Sequence, residues 1–177
     1  MIERGKFAEL HCLSNYSFLR GASHPEELVY KASDLGYSAI AITDECSYSG
    51  LVKAHVAAKQ CGIKLIVGAE FFVDIAHGEE KNSVENIIML APTRQAYGQL
   101  SAFISKIRRK NQKGNSYLGY EDCQIGLSDC LILWSPELQD IDIQVSVGHK
   151  LKTIFQHFWI TLELFQDGFD IDKTAQA

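Results

Sequence analysis

The sequence predicts an α/β fold in which a largely parallel sheet is wrapped by helices and curls toward a barrel that stops early. Three observations carry this expectation. Strand-like and helix-like segments alternate from Phe7 to Val67. The strand runs, as in Ala39-Ile-Ala-Ile42, are apolar on both faces, the pattern of a parallel strand covered on both sides. Ionisable residues follow the first three strands: His11 after Phe7–Leu10, Asp44 and Glu45 after Ser38–Thr43, and Glu70 after Lys64–Val67. The carboxyl edge of such a sheet is where α/β folds build their sites.

The elements follow in order. After the first strand, residues 15–23 form a polar loop. His24-Pro25-Glu26-Glu27 opens a helix, with Ser23 or His24 as cap, proline at the first helical position and two acids at the positive end of the dipole. Leu28, Val29, Ala32 and Leu35 form its apolar stripe, and Gly36 ends it. A second helix runs from about Tyr48 to Gln60, with Leu51, Val52, Ala54, Ala58 and Cys61 inward and Gly62 as the stop. Phe71–Ile75 and Val84–Leu90 pair as a hairpin across a polar turn containing Gly78. A helix from Pro92 to about Arg109 carries Ala96, Leu100, Phe103, Ile104 and Ile107 at a period near 3.6. Beyond a loop with a short helical turn come a strand at Cys130–Trp134, a helix at Val147–Phe155 and a last strand at Phe158–Leu164. The polar stretch from Gln166 to Ala177 begins a helix with no strand after it. This makes six core strands, whereas a closed (β/α)8 barrel takes eight strand–helix pairs and about 250 residues. A missing final strand leaves an open sheet edge.

Composition narrows the function classes. The chain has 177 residues, 46% hydrophobic and 22% charged, which suits one ordinary globular core. A formal charge of −5 argues against a surface that coats nucleic acid. Five cysteines without a C-x-x-C pair read as free thiols in a reducing cytoplasm and exclude a zinc knuckle. The charged N-terminus is not a secretory leader, and no apolar run is long enough to span a membrane. The expected setting is cytoplasmic.

The candidate site is one imidazole and three carboxylates: His11, Asp44, Glu45 and Glu70. Gathered at one sheet edge, such ligands hold Zn, Mn or Mg and activate a water for attack on phosphorus. The plainer alternatives are a hydrogen-bonded core histidine and, for Asp44, a cap for the following helix. Cys12 and His11 point to opposite faces of a strand and do not form a nucleophile–base pair. No acyl-hydrolase elbow and no phosphate or dinucleotide loop is present. Lys106, Arg108, Arg109, Lys110 and Lys113 cluster at a helix end. They complement the helix dipole or contact DNA phosphates, Arg108, Arg109 and Lys110 being the candidates for DNA.

Three blocks carry a resemblance: Glu9-Leu-His11 through Glu27-Leu28, Ala39-Ile-Ala-Ile-Thr-Asp44, and Gly62-Ile-Lys-Leu-Ile-Val-Gly68-Ala-Glu70. Together they resemble the N-terminal PHP (polymerase and histidinol phosphatase) domain of bacterial C-family DNA polymerases. With Leu13, Arg20 and Thr43-Asp-Glu-Cys46, the wording is most similar to the error-prone, damage-induced branch. The likeness is strongest over residues 7–134. Residues 1–177 are expected to form one PHP domain, with 135–177 supplying the remaining strand and helices and the last barrel units missing.

The resemblance implies a distorted (β/α)7 barrel, incomplete at its C-terminus, with a cluster of up to three metals at its mouth. In active members that cluster hydrolyses phosphoesters, in some as a 3′–5′ exonuclease. Only His11, Asp44 and Glu70 match the motifs. The His-x-His motif reads His11-Cys12-Leu13, Arg20 stands where active members carry an acid, and Thr-Asp-His reads Thr43-Asp44-Glu45. Leu13 offers no lone pair, and Arg20 brings a fixed positive charge to a cation site. No cofactor is therefore expected; if a metal binds, it is Zn, Mn or Mg at His11, Asp44, Glu45 and Glu70. The expected role is the structural PHP module of an error-prone polymerase active in translesion synthesis, in a chain too short to hold the polymerase centre itself. The implied partners are the rest of the polymerase chain, DNA through that polymerase, mutagenesis accessory proteins and a sliding clamp, with no membrane. The alternatives are a stand-alone metal-dependent phosphoesterase or exonuclease and a non-catalytic DNA-binding module.

Overall fold

The structure is a computed structural model that describes residues 7–77, 80–124, 126–136 and 141–163, with side chains of 76–83 excepted. The expected helix after Gln166 and Gly78 of the hairpin turn lie outside the described residues. The chain runs β1 (Ala8–Glu9), α1 (Pro25–Asp34), β2 (Ala39–Ile42), α2 (Leu51–Cys61), β3 (Lys64–His77), β4 (Glu80–Ala91), α3 (Arg94–Lys110), β5 (Leu118–Gly119), a 3-10 turn (Tyr120–Gln124), β6 (Leu131–Ser135), α4 (Ile141–Ile154) and β7 (Phe158–Ile160).

The strands form one mixed sheet in the order β1-β2-β3-β4-β6-β7, with β5 beside β3. β1, β2 and β3 are mutually parallel, β4 is antiparallel to both β3 and β6, and β7 is parallel to β6. The sheet curls as an incomplete barrel, because residues following its first and last strands meet at one end. The expected Phe71–Ile75 with Val84–Leu90 hairpin forms, with Phe71 opposite Ile87 and Val73 opposite Glu85.

Glu70 was expected after the end of a strand, and here the structure corrects the reading. β3 does not stop at Val67: it runs on as one 14-residue strand with Glu70 inside it. β2 pairs with β3 only as far as Val67, so beyond that level β3 keeps only β4 and later β5 as neighbours. Glu70 therefore sits at the edge defined by β2 while its own strand continues, and an isolated bridge joins it to Glu45. Gly68 permits the change of partner. A Cβ there would lie 2.7 Å from Leu90 Cδ2 and 2.9 Å from the Met89 carbonyl.

Side-chain alternation divides the core into two outer layers and an inner one. Ile40 and Ile42 of β2 pack outward on Val29, Ala32, Ala54, Ala57 and Ala58 of α1 and α2. Phe71, Val73, Ile87, Met89, Ile132 and Trp134 face Leu100, Phe103 and Ile107 of α3 and Val147 and Leu151 of α4. The Phe71 and Phe103 rings meet edge to face at 5.3 Å, a pairing worth about 1 kcal/mol beyond its buried area. Inside the curl, Ala41, Ile88 and Leu90 are buried against Ile66, Leu131 and Leu133.

Two helix faces differ from expectation. Val52 points to solvent, and Leu35 is half exposed. Ala54 and Ala58 of α2 lie against the sheet as expected and Ala57 joins them, because small side chains let the helix approach β2 closely. α3 is capped by the Thr93 hydroxyl, which accepts from Ala96 N–H at 3.1 Å. α4 begins at Ile141, a turn and a half ahead of the expected start at Val147. Among the described residues no helix is long and apolar enough to cross a membrane.

Candidate functional site at the barrel mouth

His11 follows β1 by two residues and points into the mouth. Its Nε2 lies 2.6 Å from Glu70 Oε2, and its Nδ1 is hydrogen-bonded to Glu163 Oε1. A carboxylate at each ring nitrogen makes both nitrogens donors, which is the imidazolium form. Burial works against that charge, but the bonds to Glu163 and Glu70 outweigh it and lift the His11 pKa to about 9. Cys12, next in sequence, packs on the opposite side with the α1–α2 layer, as strand alternation requires. Burial pushes its thiol up to about 11.

Glu70 is fully buried, and its carboxylate is held from two sides. Arg20 donates through Nη1 to Glu70 Oε1 and through Nη2 to Oε2 at 3.3 Å. Arg20 Nη1 also reaches Glu45 Oε2 at 3.4 Å, and the guanidinium lies 4.8 Å from the centre of the Phe72 ring. Burial alone would raise the Glu70 pKa, yet His11 and Arg20 together hold it below the ordinary carboxylate value. The second oxygen of Glu45 accepts from Ser116 Oγ at 2.7 Å.

Asp44 belongs to the same edge, but its carboxylate turns toward the loop that follows β1. Oδ1 accepts from Ser14 N–H at 2.8 Å and Ser17 Oγ at 2.7 Å, and Oδ2 from Ser14 Oγ at 2.7 Å. It is not the cap of α2, whose N-cap is Gly50. Thr43 completes the lashing, its hydroxyl accepting from Cys12 N–H at 3.0 Å.

The basic cluster is exposed, but several of its members are bonded within the chain. Arg108 Nε donates to the Cys46 carbonyl and its Nη2 to the Glu45 carbonyl, each at 3.0 Å. It thereby supports the turn where Cys46 adopts a φ of 43°. Lys110 is paired with Asp122 at 2.5 Å, with Lys106 nearby at 3.7 Å. Arg109 is exposed.

Of the residues expected from sequence, His11, Glu45 and Glu70 come together and Asp44 stands behind them as a loop anchor. Glu163, Ser14, Ser17 and Ser116 went unread. Glu163 follows β7 as His11 follows β1, so the strand-end rule would have found it had that strand been ended at Ile160. Ser14 and Ser17 carry no sequence signal, because their partner Asp44 is about 30 residues away.

A divalent cation needs lone pairs converging on one point. Here the lone pairs of Glu70 are taken by His11 and Arg20, those of Glu45 by Ser116 and Arg20, and those of Asp44 by serine donors. Among the described residues no group of three His, Cys, Asp or Glu side chains is placed to hold an ion. As it stands, the arrangement is a network of charge-assisted hydrogen bonds.

Residues 9–154 match the PHP domain family. The chain belongs to the PHP family. It is 47% identical over 172 residues to the error-prone DNA polymerase of Idiomarina loihiensis, a match covering 97% of this chain and 16% of that protein. It is 48% identical over 178 residues to the error-prone DNA polymerase of Dechloromonas aromatica, covering 96% of this chain and again 16% of the relative. The chain thus spans about a sixth of the length of these relatives. Among solved structures, an amidohydrolase from Chromobacterium violaceum superposes with a TM-score of 0.45 at 28% identity, covering 58% of this chain and 33% of that one.

Proposed function

We propose that this chain is the PHP module of an error-prone DNA polymerase acting in translesion synthesis, and that its mouth is held by ion pairs in place of hydrolytic metals. Its role is then architectural: it presents a rigid sheet edge to the polymerase body. The observation that carries this reading is the guanidinium of Arg20 on both oxygens of the buried Glu70. A fixed cation there neutralises the carboxylate a metal would need and repels any ion approaching it. The relatives named error-prone DNA polymerase support the polymerase assignment.

The test is metal content after purification, followed by hydrolysis of p-nitrophenyl phosphate and of a 3′-labelled oligonucleotide with Mg, Mn or Zn added. The reading expects substoichiometric metal and no release above the blank. A stoichiometric, tightly held ion or metal-dependent hydrolysis would sink it in favour of the phosphoesterase. Phosphate contact through Arg108, Arg109 and Lys110 is the weaker proposal, since Arg108 and Lys110 are spent inside the chain. It requires binding to duplex DNA at low salt that weakens steeply as salt rises.

A further inference from the structure

Between the two anchors of the mouth loop, Ser17 on Asp44 and Arg20 on Glu70, lie Phe18 and Leu19. They are the most exposed large apolar side chains among the described residues, at 83% and 89%. Tyr16, on the same loop, is 40% exposed. This loop is held: Asn15 N–H bonds the Ser23 carbonyl at 2.8 Å, and the N–H groups of Arg20 and Gly21 bond the Ser17 carbonyl at 3.0 and 2.9 Å. It is also tight enough that a Cβ on Gly21 would fall 2.0 Å from the Ser14 carbonyl oxygen. Leu19 is itself kept at a φ of 62°, a left-handed conformation that a branched apolar residue adopts only when its surroundings impose it.

We propose that Phe18 and Leu19 form a fixed apolar knob that seats in an apolar pocket of the polymerase body, the part of a longer chain that this sequence does not cover. The inference rests on the polymerase-module reading and names one of its contacts. Two arguments choose this occupant over a second copy. The matched relatives extend far beyond the region aligned, which is 16% of their length. A two-residue knob is also far below the roughly 1,200 Å² that a stable association of separate chains buries. Within one chain, covalent connection supplies an effective concentration on the order of millimolar, and so small a contact suffices.

The test compares two proteins. One is this 177-residue chain; the other is the full-length Idiomarina loihiensis polymerase with its matching segment replaced by this chain. Amide hydrogen exchange at residues 17–21 is expected to be at least about 10-fold slower in the chimaera than in the short chain. A Phe18→Ser/Leu19→Ser variant is expected to abolish that difference while leaving the melting temperature of the short chain unchanged. Equal exchange in a chimaera that extends a primed template overturns the knob and leaves the module reading standing. Exchange that slows with concentration in the short chain alone overturns it in favour of a second copy. A chimaera that extends no primer removes the module reading, and the knob's occupant with it.

Discussion

His11 and Glu163, 152 positions apart in sequence, are hydrogen-bonded across the mouth, joining the segment after the first strand to the segment after the last. The bond spans the two ends of the sheet path and acts as a clasp on the curl. Glu163→Gln keeps the shape and removes the charge. A charged hydrogen bond is worth about 1.5–3 kcal/mol, and partial exposure of the pair brings the expected loss to about 1 kcal/mol. For a chain of this size that is a fall of roughly 2–4 °C in Tm. The His11 pKa should drop from about 9 in the same variant, followed by NMR. An unchanged melting curve together with an unchanged titration would show that the clasp holds nothing.

Stability should depend on pH with a definite sign. The folded-state pKa of His11 lies above its ordinary 6.5, so its contribution is complete below about pH 6.5 and is lost as pH rises through about 9. Glu70 lies below its ordinary value of 4.5, so its contribution is present above that pH and is lost as pH falls through the lowered pKa. The two leave a plateau between about pH 4.5 and 6.5 and a decline on the alkaline side of at most about 3 kcal/mol. The Cys12, Cys46 and Cys130 thiols are pushed by burial from an ordinary 9.0 up to about 11 and Cys123 to about 12, so they leave the plateau untouched and add to the decline only as pH approaches 9. Urea midpoints measured from pH 5 to pH 9.5 check this, and His11→Gln should flatten the alkaline limb. A stability that rises from pH 7 to 9 contradicts the assigned charge state.

Much of this mouth was legible because strand ends are short-range signals. Ala39–Ile42 followed by Asp44 and Glu45 announces a sheet edge without any tertiary knowledge, and so does His11 after β1. Glu70 was placed at the correct level for a partly mistaken reason: Gly68-Ala69 reads as a break, whereas the strand continues once β4 replaces β2 as its main neighbour. Arg20 was legible only as a departure from the resemblance, and its bond to Glu70 across 50 residues is a property of the fold. On α2 the inward places of Ala54 and Ala58 were legible, but Val52 was misread as inward and Ala57 missed because valine outranks alanine in hydrophobicity, while the sheet selects for small volume there.

Removing Arg20 should convert the mouth from ion pairs toward a cation site. Arg20→Ala leaves Glu70 buried and paired with His11. Loss of one member of a buried pair costs about 3–5 kcal/mol, and the one-third exposure of Arg20 reduces the expectation to about 2 kcal/mol. Glu45, Glu70, Glu163 and His11 are then freed from the guanidinium's field. Millimolar Mn should raise the melting temperature of the variant and leave that of the parent chain where it was. A parent stabilised by Mn as strongly as the variant would mean that Arg20 does not exclude ions.

Asp44 offers the sharpest separation of scaffold from ligand. Its carboxylate accepts from the Ser14 amide, the Ser14 hydroxyl and the Ser17 hydroxyl, all buried. Asp44→Ala leaves three donors without that acceptor in a crowded space, where even a Cβ added at Gly50 would come within 3.1 Å of Asp44 Oδ2 and of the Tyr16 ring. Each orphaned buried donor costs about 1–3 kcal/mol, so a loss of about 3 kcal/mol or more is expected. Asp44→Asn, with an oxygen on one side only, should recover part of it. The decisive feature is indifference to metal: the loss should be the same in EDTA and in millimolar Mn. A destabilisation present only with the ion, and absent in EDTA, would identify Asp44 as a metal ligand and not as the anchor of the mouth loop.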